Sequence, residues 1–178
     1  LARAVVGQQI SVKAAASVWA RVLQLCAASP EQPPHAQVLR SLPGEQLRAC
    51  GLSQRKVEYM HALADHFLAP GFSEAAFKRL NDDAIVAELT SIHGIGRWTA
   101  EMFLMFHLHR PDVLPVGDLG LRAAAGSLFG DGGQMTPADL RRLAEPWSPF
   151  ASAATWLLWR FLEADEAQRA QIRACRAV

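Results

Sequence analysis

Apolar residues recur along this chain at intervals of three and four, the spacing that lays one stripe along an α-helix. Val12, Ala15, Ala16, Val18, Trp19, Val22 and Leu23 give a long amphipathic helix for which Ser11 suits the N-cap. Pro30, Pro33 and Pro34 mark a loop, and short helices are expected over 35–42 and 44–49. Ser53 suits the cap of a helix running to Leu68, with Pro70-Gly71 ending it. A short helix over 73–80 follows, then one opened by Asp82 or Asp83 that carries Ala84, Ile85, Ala87, Leu89 and Ile92. Thr99, Ala100, Met102, Phe103, Met105 and Phe106 place the next helix over 97–109. Further helices are expected over 118–129, from Thr136-Pro137, and over 150–162, with a turn at 130–133. There is no alternating strand pattern, no repeat and no low-complexity segment, so the expected fold class is all-α.

Two short stretches carry chemistry beyond packing. The helix through Ile92 stops at His93-Gly94 and the next one starts near Trp98. Gly94 and Gly96 there permit backbone angles closed to other residues and keep side chains out of a ligand's way. The N–H groups from Gly94 to Trp98 face outward at the positive end of a helix dipole, which suits a phosphate, and Arg97 adds a cation. The same Gly-x-Gly pattern is also an ordinary corner between packed helices, and the short pattern alone does not choose. One helix and one loop later, Asp118 sits in Pro115-Val116-Gly117-Asp118-Leu119-Gly120. It can cap the helix that follows, or present a carboxylate for chemistry beside a bound phosphate.

The longer pattern does choose. Ile92-His93-Gly94-Ile95-Gly96-Arg97-Trp98-Thr99-Ala100 resembles the helix-hairpin-helix (HhH) of the base-excision DNA glycosylases. Arg110-Pro111-Asp112 with Leu114-Pro115-Val116-Gly117-Asp118 resembles the Gly/Pro-rich loop and aspartate that complete the HhH-GPD superfamily signature. Gly7-Gln8-Gln9-Ile10-Ser11 is similar to the family's N-terminal turn. Ala144-Glu145-Pro146-Trp147-Ser148-Pro149-Phe150 with Trp156 to Arg160 is similar to its C-terminal helix pair, and Gly51-Leu52-Ser53 with Arg55-Lys56-Val57 also fits. The resemblance spans nearly the whole chain and is to the 3-methyladenine DNA glycosylase II (AlkA-like) branch in particular.

That resemblance implies one domain over 1–178 with two helical lobes and an active-site cleft between them. The first lobe would cover 1–113 with the hairpin at 89–109; the second would hold the helices of 114–178 together with the extreme N-terminus. The chain opens at Leu1-Ala2-Arg3 without a Met, so an incomplete N-terminus is expected. Asp118 becomes the expected catalytic carboxylate, stabilising an oxocarbenium-like sugar and orienting water. Gly94, Ile95, Gly96, Arg97 and Thr99 become the DNA-binding hairpin, and Gln8 and Gln9 the turn that fills the gap left by an extruded base. Trp98 stands where bifunctional relatives place a Schiff-base lysine, which implies a monofunctional enzyme that uses water and leaves an abasic site. Trp98, Trp159 and Met102 are the expected base pocket, because an aromatic face suits a purine made cationic by alkylation. Such a base leaves without a general acid. Arg122, one turn after Asp118, would steady the carboxylate, bind phosphate or form a surface pair, and Trp147 and Trp156 are expected in the core. A structural monovalent cation on the backbone carbonyls of Thr90, Ile92 and Ile95 is implied as well, with no catalytic metal and no cofactor. The implied partner is damaged double-stranded DNA, met by a monomer.

Composition narrows this further. The 178 residues and 51% hydrophobic content suffice for one well-packed domain. A net charge of +1 means that DNA affinity must come from local placement, with Arg97, Arg110, Arg122, Lys56 and backbone amides as candidates. Cys26, Cys50 and Cys175 are too scattered for a zinc or iron–sulfur site, and the six histidines form no ligand set. Without a bilayer-length apolar run or a signal peptide, the expected location is cytoplasmic, on the nucleoid in a bacterium. Two rivals stand: a non-catalytic HhH DNA-binding module, and a glycosylase for oxidised, deaminated or mismatched bases. A mere binder needs neither Asp118 nor the aromatic set, while Trp98 and the missing cysteine cluster oppose most of the second class.

Overall fold

The computed structural model describes residues 1–70, 73–77 and 79–175, and every regular element among them is helical. The chain divides into two compact units, Leu1–Ala100 and Glu101–Val178. The division falls within a helix, earlier than the lobe boundary expected after residue 113.

In the first unit the helices are α1 (Ala2–Gly7), α2 (Val12–Leu25), α3 (Ala36–Ser41), α4 (Gly44–Ala49), α5 (Gln54–Leu68), α6 (Glu74–Phe77) and α7 (Asp82–Thr90). Caps fix where they begin. Ser11 Oγ accepts the Ala14 N–H at 3.2 Å and Ser53 Oγ accepts the Lys56 N–H at 3.3 Å, as the sequence suggests. For α7 the cap is Asn81, whose Oδ1 accepts the Ala84 N–H at 2.8 Å; Asp82 and Asp83 instead occupy the first turn, where their charge favours the dipole. α5 is the hub, since α1, α3 and α4 all pack on it. Val5, Val6, Val22, Leu47, Met60, Ile85 and Leu89 are fully buried here, and each such side chain contributes about 1.5–3 kcal/mol. α1 belongs to this packing through α2 and α5, whereas the resemblance grouped the N-terminus with the C-terminal helices. α5 ends at Leu68 with Ala69 extended; Gly71, its expected stop, lies outside the described residues.

α8 (Arg97–Phe106) spans the division. It stops three residues before the expected end because His109 turns left-handed (φ 53°) and the Arg110 N–H reaches back to the Leu104 carbonyl at 2.9 Å. The second unit continues with α9 (Leu119–Phe129), α10 (Pro137–Ala144), a 3-10 turn at Glu145–Trp147, α11 (Ala151–Glu163) and α12 (Glu166–Cys175). Its core joins Leu121, Ala124 and Ala125 of α9 to Leu140 of α10 and to Leu158 and Phe161 of α11. Trp147 packs against this core as expected, but Trp156 is 48% exposed with the Arg160 guanidinium 5.5 Å over its ring. α12 is a helix that apolar spacing does not announce, because none of its residues is buried. Arg173 ties it to α9, donating to Ser127 Oγ at 3.0 Å, and also pairs with Glu166 of its own helix. No helix among the described residues is long and apolar enough to cross a membrane.

Candidate active site and nucleic-acid interface

The hairpin between α7 and α8 is closed by the Ile95 N–H on the Ile92 carbonyl at 3.0 Å, and both isoleucine side chains are buried beneath it. Its two glycines serve different ends. Gly94 adopts φ 90°, and a Cβ there would stand 2.1 Å from the Tyr59 ring. Tyr59 is itself fixed: its edge meets His93 with centroids 4.8 Å apart, and Arg55 donates to its hydroxyl at 2.9 Å. Gly96 does not take a left-handed angle, so the expectation of special backbone freedom holds for Gly94 alone. A Cβ at Gly96 would meet nothing within 4 Å, which leaves that side of the hairpin open to a ligand's close approach. The first bond of α8 runs from the Ala100 N–H to the Gly96 carbonyl at 3.1 Å, so the positive end of the dipole opens at Gly96. Arg97 is exposed, and Trp98 at 47% exposure is no core residue. Thr99 is only 4% exposed and Ile95 is buried, so both offer the surface their backbone rather than their side chains.

The N-terminal turn is bonded to this hairpin. Gln8, half-buried, donates from Nε2 to the Gly94 carbonyl at 2.9 Å. Gln9 is exposed at φ 56°. The pair therefore separates into a strut and a projecting side chain. Lys56, a candidate for phosphate, donates instead to the Val6 carbonyl at 2.7 Å near the C-terminal end of α1, and burial lowers its pKa.

In the second unit the chain turns tightly before Asp118, with the Val116 N–H on the Leu114 carbonyl (2.9 Å) and the Asp118 N–H on the Pro115 carbonyl (2.8 Å). The loop before this turn is stitched to the start of α11. Asp112 accepts the Ala151 N–H at 3.1 Å and the Ser148 hydroxyl at 2.7 Å. The Ser152 hydroxyl donates to the Arg110 carbonyl and accepts the Val113 N–H. Asp118 caps α9, its Oδ1 accepting the Leu121 N–H at 2.6 Å, and the same oxygen accepts the Trp159 indole N–H at 3.1 Å. Trp159 in turn stacks on Phe106, with centroids 6.1 Å apart and planes 21° from parallel. Sequence reasoning placed Phe106 in a helix and Asp112 in the signature loop without a partner for either, and did not single out Ser152, since no local spacing links these residues to their partners. Met102, half-buried on α8, shares the second unit with Asp118 and Trp159, while Trp98 lies in the first.

Arg122 is bonded to the loop that follows its own helix. Its Nε donates to the Met135 carbonyl at 2.6 Å, and the Met135 N–H returns to the Arg122 carbonyl at 3.2 Å. It straps the 130–136 loop onto α9. No cluster of three His, Cys, Asp or Glu side chains suited to a metal occurs among the described residues. The implied cation would need backbone oxygens, and Ile92 already shares its carbonyl with the Ile95 N–H. A carbonyl has a second lone pair, so that bond does not bar Ile92 from ligating an ion.

Residues 2–149 match the family described as HhH-GPD superfamily base excision DNA repair protein. The chain is 36% identical over 163 residues to DNA-3-methyladenine glycosylase 1 of Schizosaccharomyces pombe, covering 90% of this chain and 70% of that protein. A solved DNA-3-methyladenine glycosidase from Bacillus halodurans superposes with a TM-score of 0.81 at 35% identity, over 89% of this chain and 72% of that one. The 3-methyladenine DNA glycosylase of Schizosaccharomyces pombe, solved in complex with abasic DNA, gives a TM-score of 0.79 at 34% identity, over 92% and 79% of the two chains.

Proposed function

Because the chain belongs to the HhH-GPD superfamily of base excision DNA repair proteins, we propose that it is a monofunctional DNA glycosylase of the 3-methyladenine II type. It hydrolyses the N-glycosidic bond of alkylated bases in damaged duplex DNA and leaves an abasic site. The observation that carries this reading is Asp118, held at the head of α9 by two donors on one oxygen, in a chain whose hairpin opens a helix N-terminus at Gly96.

The chemistry follows from that carboxylate. As the bond from C1′ to the base breaks, its electron pair leaves with the base and positive charge gathers on the sugar. A fixed carboxylate stabilises that charge without reorganising at the moment of reaction. Water then adds to C1′, losing its proton to the carboxylate or to solvent. Glycosidases acting on ordinary sugars need a second carboxyl group to protonate a poor leaving group. A purine alkylated at N3 or N7 is already cationic and needs none, which accommodates a single aspartate. Trp98 offers no amine for a covalent intermediate, so water is the nucleophile. Trp159 and Met102 are base-pocket residues, with Phe106 added by its stack on Trp159. Gly94, Ile95, Gly96, Arg97 and Thr99 make up the phosphate-binding hairpin, and Gln9 rather than Gln8 is the side chain that enters the duplex. A monomer suffices for all of these contacts, and the protein acts wherever the cell keeps its DNA.

The test is release of free bases from randomly methylated duplex DNA, identified by chromatography, for the native protein and Asp118→Asn. Methylated purines are expected from the native protein alone, with DNA binding retained by the variant. Undiminished release by Asp118→Asn would overturn the catalytic assignment. No release by either protein, with binding intact, would leave a binding module or another lesion class.

A further inference from the structure

Given the glycosylase function proposed above, on which this rests, we infer that Trp159 is a positioning residue for Asp118, acting through its indole N–H and not only through the face of its ring. Three observations converge on it. The indole N–H and the Leu121 N–H meet on the same carboxylate oxygen, at 3.1 and 2.6 Å. One donor fixes where Oδ1 sits; two donors from different elements, α9 and α11, also fix the plane of the carboxylate and hence the direction in which it presents Oδ2.

The second observation is the room made for this contact. A Cβ on Gly120 would lie 3.2 Å from Asp118 Oδ1, 3.5 Å from Leu162 Cδ1 and 3.9 Å from Trp159 Cδ1. The residue two places after the carboxylate thus lacks a side chain at the place where Trp159 reaches it. The third is the ring's own anchorage. Phe106 stacks on the indole, and the Asp112 and Ser152 bonds tie the loop leading to Asp118 to the first turn of α11, the helix that carries Trp159. Carboxylate and indole are therefore held in register from both sides. A stacking residue needs only its face free; this one has its polar edge committed to the group that meets the sugar.

The two roles separate by chemistry at one atom. Site-specific replacement of Trp159 by benzothienylalanine puts sulfur in place of the N–H and keeps the size and face of the ring. Replacement by fluorinated tryptophans keeps the N–H and weakens the negative face that attracts a cationic base. With methylated duplex DNA, the isostere is expected to slow single-turnover excision about 10- to 100-fold, the cost of a misdirected catalytic group, with KM changed less than about twofold. The fluorinated proteins, whose weakened face meets the base, are expected to raise KM while losing far less single-turnover rate at saturating DNA than the isostere. Gly120→Ala, which presses on Oδ1, is expected to lose rate while its circular dichroism stays native. A benzothienylalanine protein as fast as the native one overturns the proposal, as does a loss that tracks fluorination instead of the N–H. Asp118→Asn measured alongside keeps the failures apart. If it still turns over, the glycosylase assignment of Asp118 fails; if it is dead while the isostere is fully active, only the positioning role fails.

Discussion

Replacing Gly94 by alanine tests why the hairpin needs a glycine there. Two costs arise at that position. The φ of 90° lies in the half of backbone space that a Cβ resists, at about 1–2 kcal/mol. The new methyl would also sit 2.1 Å from Tyr59 Cγ, inside contact distance of a ring that Arg55 and His93 hold in place. Forcing such a group into a packed site costs about 1–3 kcal/mol. Together Gly94→Ala should destabilise the protein by about 2–5 kcal/mol, a fall of about 4–20 °C in Tm for a chain of this size. A double-mutant cycle separates the terms: with Tyr59→Ala already in place, the steric part disappears and Gly94→Ala should cost only about 1–2 kcal/mol. Gly96→Ala is the internal contrast, since a Cβ there meets nothing within 4 Å. Its stability should stay within about 0.5 kcal/mol of native while its affinity for DNA falls regardless of sequence. Thermal unfolding followed by circular dichroism and a binding titration measure both. Equal cost of Gly94→Ala in the native and Tyr59→Ala backgrounds would refute the packing argument, and unchanged DNA affinity of Gly96→Ala would refute the open approach.

The other expectations concern residues whose roles the tertiary contacts divide. Gln8→Ala should lose about 0.5–1.5 kcal/mol of stability with its bond to the Gly94 carbonyl. Gln9→Gly should stay within about 1 kcal/mol of native, because it relieves the φ of 56°, yet slow excision from duplex more than from single-stranded DNA; equal effects on both substrates would remove Gln9 from the plug role. Arg122→Ala should cost about 1.5–3 kcal/mol through the lost bond to Met135 and leave the salt dependence of DNA binding unchanged; a drop of about one in that slope would mean that Arg122 touches phosphate. Borohydride treatment during turnover should trap no protein–DNA adduct, since Trp98 supplies no amine, and a trapped adduct would reveal another nucleophile.

Much of this protein is written in local sequence. Helix existence follows from apolar spacing and from side chains that bond a backbone N–H three residues on, as Ser11, Ser53 and Thr136 do. Those signals act over a few residues and survive without knowledge of the fold. The hairpin and the loop before Asp118 are legible for the same reason, because glycines free the backbone and prolines fix it where they stand. Local signals failed where neighbours compete. Asn81 outbids the two aspartates beside it for the cap of α7, and α12 carries too few apolar residues to announce itself.

What only the tertiary structure decided is the assignment of roles among similar residues. Sequence offers two glycines, two glutamines and several tryptophans with equal claims. Their differences arise from what lies across from them: Tyr59 over Gly94 and open space beside Gly96, the Gly94 carbonyl for Gln8 and solvent for Gln9. Trp159 and Asp118 are 41 positions apart, and nothing periodic connects them. Their contact exists because α9 and α11 share a core and because Gly120 leaves room at the crossing. Backbone preference is a property of a residue and its nearest neighbours, so sequence alone can fix it; partnership is a property of the packed whole, and only the fold supplies it.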